Sequence, residues 1–175
     1  MDAEFQEIAK LEAAKRQLAQ AIRLFFDRGD QIAIHTLASA AYQILSDICE
    51  LQGINREIED SEVLEEMGVK KQVIASMREP QNFFKHADRD AHETVRFSPM
   101  LSVCFLLYGV SFYYAITQQQ FPEGIVFRSW FYAKHPERAP EPIRAAVTAM
   151  APILDPTDLD FFATQIPKLA RKSDG

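Results

Sequence analysis

The segment Asn82-Phe83-Phe84-Lys85-His86-Ala87-Asp88-Arg89-Asp90 sets an amide, an imidazole, two cations and two carboxylates among apolar residues, a concentration of reactive groups found nowhere else in the chain. An imidazole changes charge near neutral pH, so His86 can act as general acid, general base or ligand. Lys85 and Arg89 offer contacts to an anion, Asn82 an orienting amide, and Asp90 a carboxylate that fixes a ring or a cation. Such a group suits an anionic substrate better than a metal ion.

The metal alternative draws on His86 and Asp90, one helical turn apart, with His35 arriving from an earlier helix. Asp88, His92 and Glu93 add further nitrogen and oxygen donors nearby. Lys85 and Arg89 stand among these ligands and oppose a dication. The chain has no phosphate-cradling glycine loop, nucleophile elbow, paired-cysteine zinc pattern or H-E-x-x-H, and nothing in it implies a cofactor.

Helices must position these groups. Ile8, Leu11, Leu18, Ile22 and Phe25 recur at helical spacing and predict an amphipathic helix from Ala3 to Phe26, stopped at Gly29. Asp30 is a predicted N-cap for a second helix, about Gln31 to Leu51. That helix carries two apolar stripes, Ile34-Leu37-Ala41-Ile44-Ile48-Leu51 and His35-Ala38-Tyr42-Leu45-Cys49, which require two packing partners. His35 is therefore expected on a buried face, its ring bonded to a carbonyl or to a tyrosine such as Tyr42.

Six acidic residues among the ten from Glu57 to Glu66 read as a solvated connector. Val69 to Met77 predicts a short helix, and Pro80 is read as the first residue of a new one carrying Gln81 to Ala87. On that helix Asn82, His86 and either Arg89 or Asp90 share a face. Ser98-Pro99 signals the start of a long helix with no charged residue between Arg96 and Glu123. It is long enough to span a bilayer, but the serines, Gly109 and tyrosines within it favour the central helix of a bundle, buried on all sides. Eight of the nine prolines lie from Pro99 onward, so the remainder reads as short helices, the last capped by Thr157.

The expected fold is all-α: one domain over residues 1–175, a bundle of about four main helices within about 3–118, with short C-terminal helices over about 122–172. A chain of 175 residues can bury a core without staples. Cys49 and Cys104, each inside an apolar helical pattern, are read as buried thiols in a reducing, cytoplasmic setting, and the N-terminal residues lack the pattern of a secretory signal. A net charge of −6 argues against a nonspecific nucleic-acid coat while leaving room for a local basic pocket.

An all-α chain with Asn-x-x-x-His at Asn82 and His86 resembles the HEPN superfamily, helical bundles that are often dimers and include metal-independent ribonucleases and inactive relatives. The family's motif arginine has its place at Gln81 here. The resemblance implies an RNA- or nucleotide-binding domain, without the guanidinium that would stabilise phosphorane-like charge while His86 acts as acid or base. If the chain is an enzyme, the implied chemistry is metal-independent cleavage of a phosphodiester, with His86, Asn82, Lys85 and Arg89 as its catalytic groups and His35, Asp90 and Tyr42 in support. A third reading is a non-enzymatic module that associates with itself, as a homodimer and away from membranes: ten of the nineteen aromatics fall between Phe105 and Tyr132, and Trp130, Phe131 and Tyr132 would form a sticky patch if exposed.

Overall fold

The computed structural model describes residues 5–86, 88, 91–150 and 152–173. Eight α-helices occur among them and no strand: α1 (Lys10–Phe26), α2 (Gln31–Leu51), α3 (Glu62–Glu66), α4 (Lys70–Phe83), α5 (Pro99–Thr117), α6 (Pro122–Lys134), α7 (Glu141–Met150) and α8 (Leu159–Ser173), with a 3-10 turn at Pro136–Arg138. The all-α class expected from the periodicity is the observed one.

Helix α1 begins at Lys10 rather than Ala3, leaving Phe5 and Ile8 exposed. Its buried face is Ala14, Leu18, Ala21, Ile22 and Phe26, so Phe26 rather than Phe25 ends the core stripe. The helix stops one residue before the expected glycine. Arg28 takes the left-handed conformation (φ 53°), its N–H donates to the carbonyl of Phe25, and the N–H of Gly29 reaches back to that of Leu24, which is the Schellman pattern. The tight turn folds α2 back on α1 as a hairpin. The Asp30 carboxylate accepts from the N–H groups of Ile32 and Ala33, the predicted cap.

The two stripes of α2 find the two partners they require, α1 and α5. His35, Ala38, Tyr42, Leu45 and Cys49 are all buried, whereas the other stripe is buried at Ile34 and Ala41 and exposed by Leu51. Helix α5 can approach α1 closely because Gly109 faces Leu18; a β-carbon there would stand 2.8 Å from Leu18 Cδ2. α5 is not buried on all sides: Phe105, Leu106, Val110, Phe112 and Tyr113 are in the core, while Val103, Cys104, Leu107 and Tyr108 are half-buried and Met100 and Tyr114 exposed. It is the one described helix long and apolar enough to cross a membrane.

The C-terminal helices extend the core at the C-terminal end of α1. Phe26 stacks on Phe162 of α8 with centroids 6.0 Å apart, and Phe25, Phe127 and Trp130 complete an aromatic cluster. Trp130 is buried and its indole N–H donates to the carbonyl of Pro156 at 3.0 Å, while Phe131 and Tyr132 are half-buried, so the three do not form one exposed patch. The cap of α8 is Asp158, which accepts from the N–H of Phe161; Thr157 turns instead to Asp155. α4 touches α2 only lightly and lies at the margin of the bundle, so the principal packing of α1, α2 and α5 is completed by α6 and α8 rather than by a helix between residues 52 and 97.

Candidate functional site

Pro80 does not open a new helix. α4 runs without interruption from Lys70 through Pro80 to Phe83, and the chain then leaves through a turn in which the N–H groups of Lys85 and His86 both donate to the carbonyl of Asn82. Asn82 is thus the last-turn residue of α4 and His86 lies beyond it. Asn82 and His86 therefore do not share the helical face expected of them. Arg89 and Asp90 lie outside the described residues.

His35 is fully buried on α2. Its Nδ1 stands 3.2 Å from Oγ of Ser102 on α5, and three phenyl rings box it in, Phe97 at 4.8 Å, Phe105 at 5.4 Å and Phe84 at 5.8 Å between centroids. Nε2 is buried and has no hydrogen-bond partner among the described residues. Burial, joined by the charge of Lys85, lowers its pKa from 6.5 to about 4, which keeps the ring neutral at physiological pH.

The segment after α4 therefore lies over His35, but with its reactive groups turned outward. Phe84 faces the imidazole, and Lys85 is exposed yet near enough for its charge to be felt there. Asn82 and His86 are exposed and line a surface depression of about 630 Å³ together with Glu79, Phe83, Asp88, Glu93, Thr94 and Val95. His35 is not among the lining groups. The structure unites Asn82 with His86 in one depression, while His35 is fully buried among Phe84, Phe97 and Phe105 and His86 is exposed.

Tyr42 belongs elsewhere. Two turns along α2 from His35, it is separated from that ring by Phe105, which contacts both. Its hydroxyl donates to the Glu59 carboxylate, with the two oxygens at 2.7 and 2.8 Å, rather than to His35. Burial, then the neighbouring carboxylate, raises the phenol pKa well above its ordinary value. Gln81, at the place of the family's arginine, is buried and lines a narrow crevice with Tyr42, Glu59, Met77 and Arg78, apart from the depression that Asn82 lines.

Among the described residues no three His, Cys, Asp or Glu side chains are grouped to hold a metal ion. Of the postulated set, His35 is fully buried and His86 exposed, and the third member, Asp90, is outside the described residues. Sequence reasoning missed Ser102 and Phe97 as the partners of His35, and Glu79, Thr94 and Val95 as liners of the depression. The one available signal was Ser102 itself, a small hydroxyl in the first turn of a helix that is apolar for the next several residues. No protein-family model, curated protein or solved structure matches the chain.

Proposed function

We propose that the depression at the end of α4 binds a nucleotide or the end of a single-stranded RNA, without catalysing its cleavage. The observation that supports this reading is that Asn82, Phe83 and His86 line one cavity with three carboxylates, Glu79, Asp88 and Glu93. About 630 Å³ falls in the range of small-molecule sites. An unpaired base can lie against Phe83 and hydrogen-bond to the Asn82 amide, a pairing suited to adenine. Carboxylates accept hydrogen bonds from ribose hydroxyls and distinguish RNA from DNA. Lys85 alongside serves one phosphate, whereas the acidic lining repels a long backbone. Burial of Gln81 away from the depression agrees with an inactive relative of the HEPN ribonucleases, and among the described residues that line the depression none is a cation that could take the place of the missing arginine.

Titration of the protein with AMP, adenosine and short oligoadenylates tests the reading. Wild type is expected to bind them saturably, and Asn82→Ala and His86→Ala each to weaken binding about tenfold or more. Equal binding by both variants, or none by wild type, would refute it. Oligonucleotide cleavage abolished by His86→Ala would keep the site but overturn the claim of inactivity.

A second reading, homodimerisation in a cytoplasmic setting, is favoured by the strip Met100, Val103, Leu107 and Tyr114 on α5, apolar side chains at helical spacing that remain exposed or half-buried. Light scattering decides it: a dimer mass that Leu107→Glu converts to monomer supports the strip as the interface.

A further inference from the structure

Two open depressions meet on the opposite part of the molecule. One, of about 380 Å³, lies between α6 and α7, and the other, of about 540 Å³, between α6 and α8. They share Ile125, Ser129 and Leu154, so they adjoin along α6, with α7 on one side and α8 on the other, and together make a two-part trough. α7 has no buried residue, and the apolar side chains it turns into the trough include Ile143 and Met150, which remain 41% and 53% exposed; on the other bank Phe161 is 42% exposed.

The charges in this trough are of one sign. Among the described residues its only charged liners are Arg128 in one depression and Lys168 in the other, and no Asp or Glu lines either. Among the described residues neither cation has a carboxylate partner: Arg128 lies over the Tyr132 ring and Lys168 reaches Gln165. An apolar trough with an unpaired cation in each half fits an apolar strip flanked by anions. Its openness distinguishes the two occupants of that chemistry. A fatty acid needs most of its surface enclosed, whereas an amphipathic helix presents one face and leaves the other in water.

We infer that the α6–α7–α8 trough docks an acidic amphipathic helix of a partner protein, with apolar anchors at successive turns on Ile125, Met150 and Phe161 and flanking carboxylates on Arg128 and Lys168. The inference is independent of the nucleotide site.

The experiment uses the full chain and a fluorescein-labelled peptide helix carrying leucines at i, i+3 and i+7 and glutamates beside them. Controls are the same peptide with lysines for glutamates, a scrambled version, and palmitate as competitor. Expected are saturable micromolar anisotropy changes for the acidic peptide alone, about tenfold weaker binding in Met150→Glu, and a reversed preference for the lysine peptide in the double variant Arg128→Glu/Lys168→Glu. Met150, Arg128 and Lys168 are not in the buried core, and unchanged unfolding curves of the variants separate lost binding from lost structure. Absence of saturable binding, equal binding of the scrambled peptide, or indifference to charge reversal would overturn the proposal. Palmitate that binds saturably and displaces the peptide at lower concentration would assign the trough to a lipid instead.

Discussion

Oγ of Ser102 lies 3.2 Å from Nδ1 of His35, two buried polar atoms from α5 and α2 joined inside a box of phenyl rings, while the opposite ring nitrogen has no partner among the described residues. A proton added to this ring would place a charge in an apolar setting with a lysine nearby, which is why its pKa falls to about 4. The folded value lies below the unfolded one, so the contribution to stability is complete above about pH 6.5 and is lost as the pH drops toward 4. A depression of this size corresponds to about 3 kcal/mol across that window. Urea unfolding of wild type should weaken accordingly, and His35→Leu should flatten this part of the pH profile while costing stability at neutral pH. Parallel profiles for the two proteins would show that another group carries the acid sensitivity.

Gly109 sets how closely α5 approaches α1. A β-carbon there would stand 2.8 Å from Leu18 Cδ2, and Leu18 is fully buried, with little room to yield. Gly109→Ala therefore brings overpacking of about 1–3 kcal/mol, offset in part by about 1 kcal/mol of helix propensity. In a Leu18→Ala background, which alone costs about 2–5 kcal/mol, the same change should be neutral or stabilising. Chemical denaturation of the four proteins measures this coupling; additive effects would mean that the two helices do not meet through this pair.

How much of this was legible beforehand depends on how local its cause was. Asp30, Gln31 and Leu51 were readable because a cap and two stripes agree with one another. The burial of His35 followed from the same stripes. Pro80 misled because a proline is permitted both at a first turn and, at a cost, inside a helix. Here the acceptor it leaves idle belongs to Ser76, which is exposed and open to water, while the proline ring itself is buried. That choice moved His86 off the helix and separated it from His35. Ser102 and Phe97 as partners of His35 depend on contacts across more than sixty residues of chain, which periodicity does not encode. The left-handed Arg28 was hidden by the glycine beside it.

Tyr42 ties α2 to the acidic connector through the Glu59 carboxylate. The phenol is 4% exposed whereas Glu59 is half-buried, so the two ends of the bond are unequal. Glu59→Ala leaves a buried hydroxyl unsatisfied, at about 1–3 kcal/mol, while Tyr42→Phe leaves a carboxylate that water can reach, at about 1 kcal/mol. Glu59→Ala should therefore lower the melting temperature more than Tyr42→Phe, and adding it to Tyr42→Phe should cost little further. A larger loss in Tyr42→Phe would mean that water already reaches the hydroxyl.

Arg28 is the left-handed residue of the turn after α1, and its guanidinium donates to Asp160 on α8 at 2.8 Å. A non-glycine residue in that conformation costs about 1–2 kcal/mol. The ion pair is exposed at both ends, so solvent and salt screen it and its contribution is small. Three substitutions separate these effects. Arg28→Ala keeps the backbone cost and loses the pair, so it should be the least stable. Arg28→Gly loses the pair but relieves the backbone, and despite the extra freedom of its unfolded chain should equal or exceed wild type. Gly29→Ala gains nothing, because its backbone is not left-handed and the new β-carbon would stand 3.1 Å from the Leu24 side chain and carbonyl. Thermal unfolding at low and high salt should give that order, with the advantage of wild type over Arg28→Ala shrinking as salt screens the pair. An Arg28→Gly protein as unstable as Arg28→Ala would place the value of this residue in its side chain rather than in its backbone.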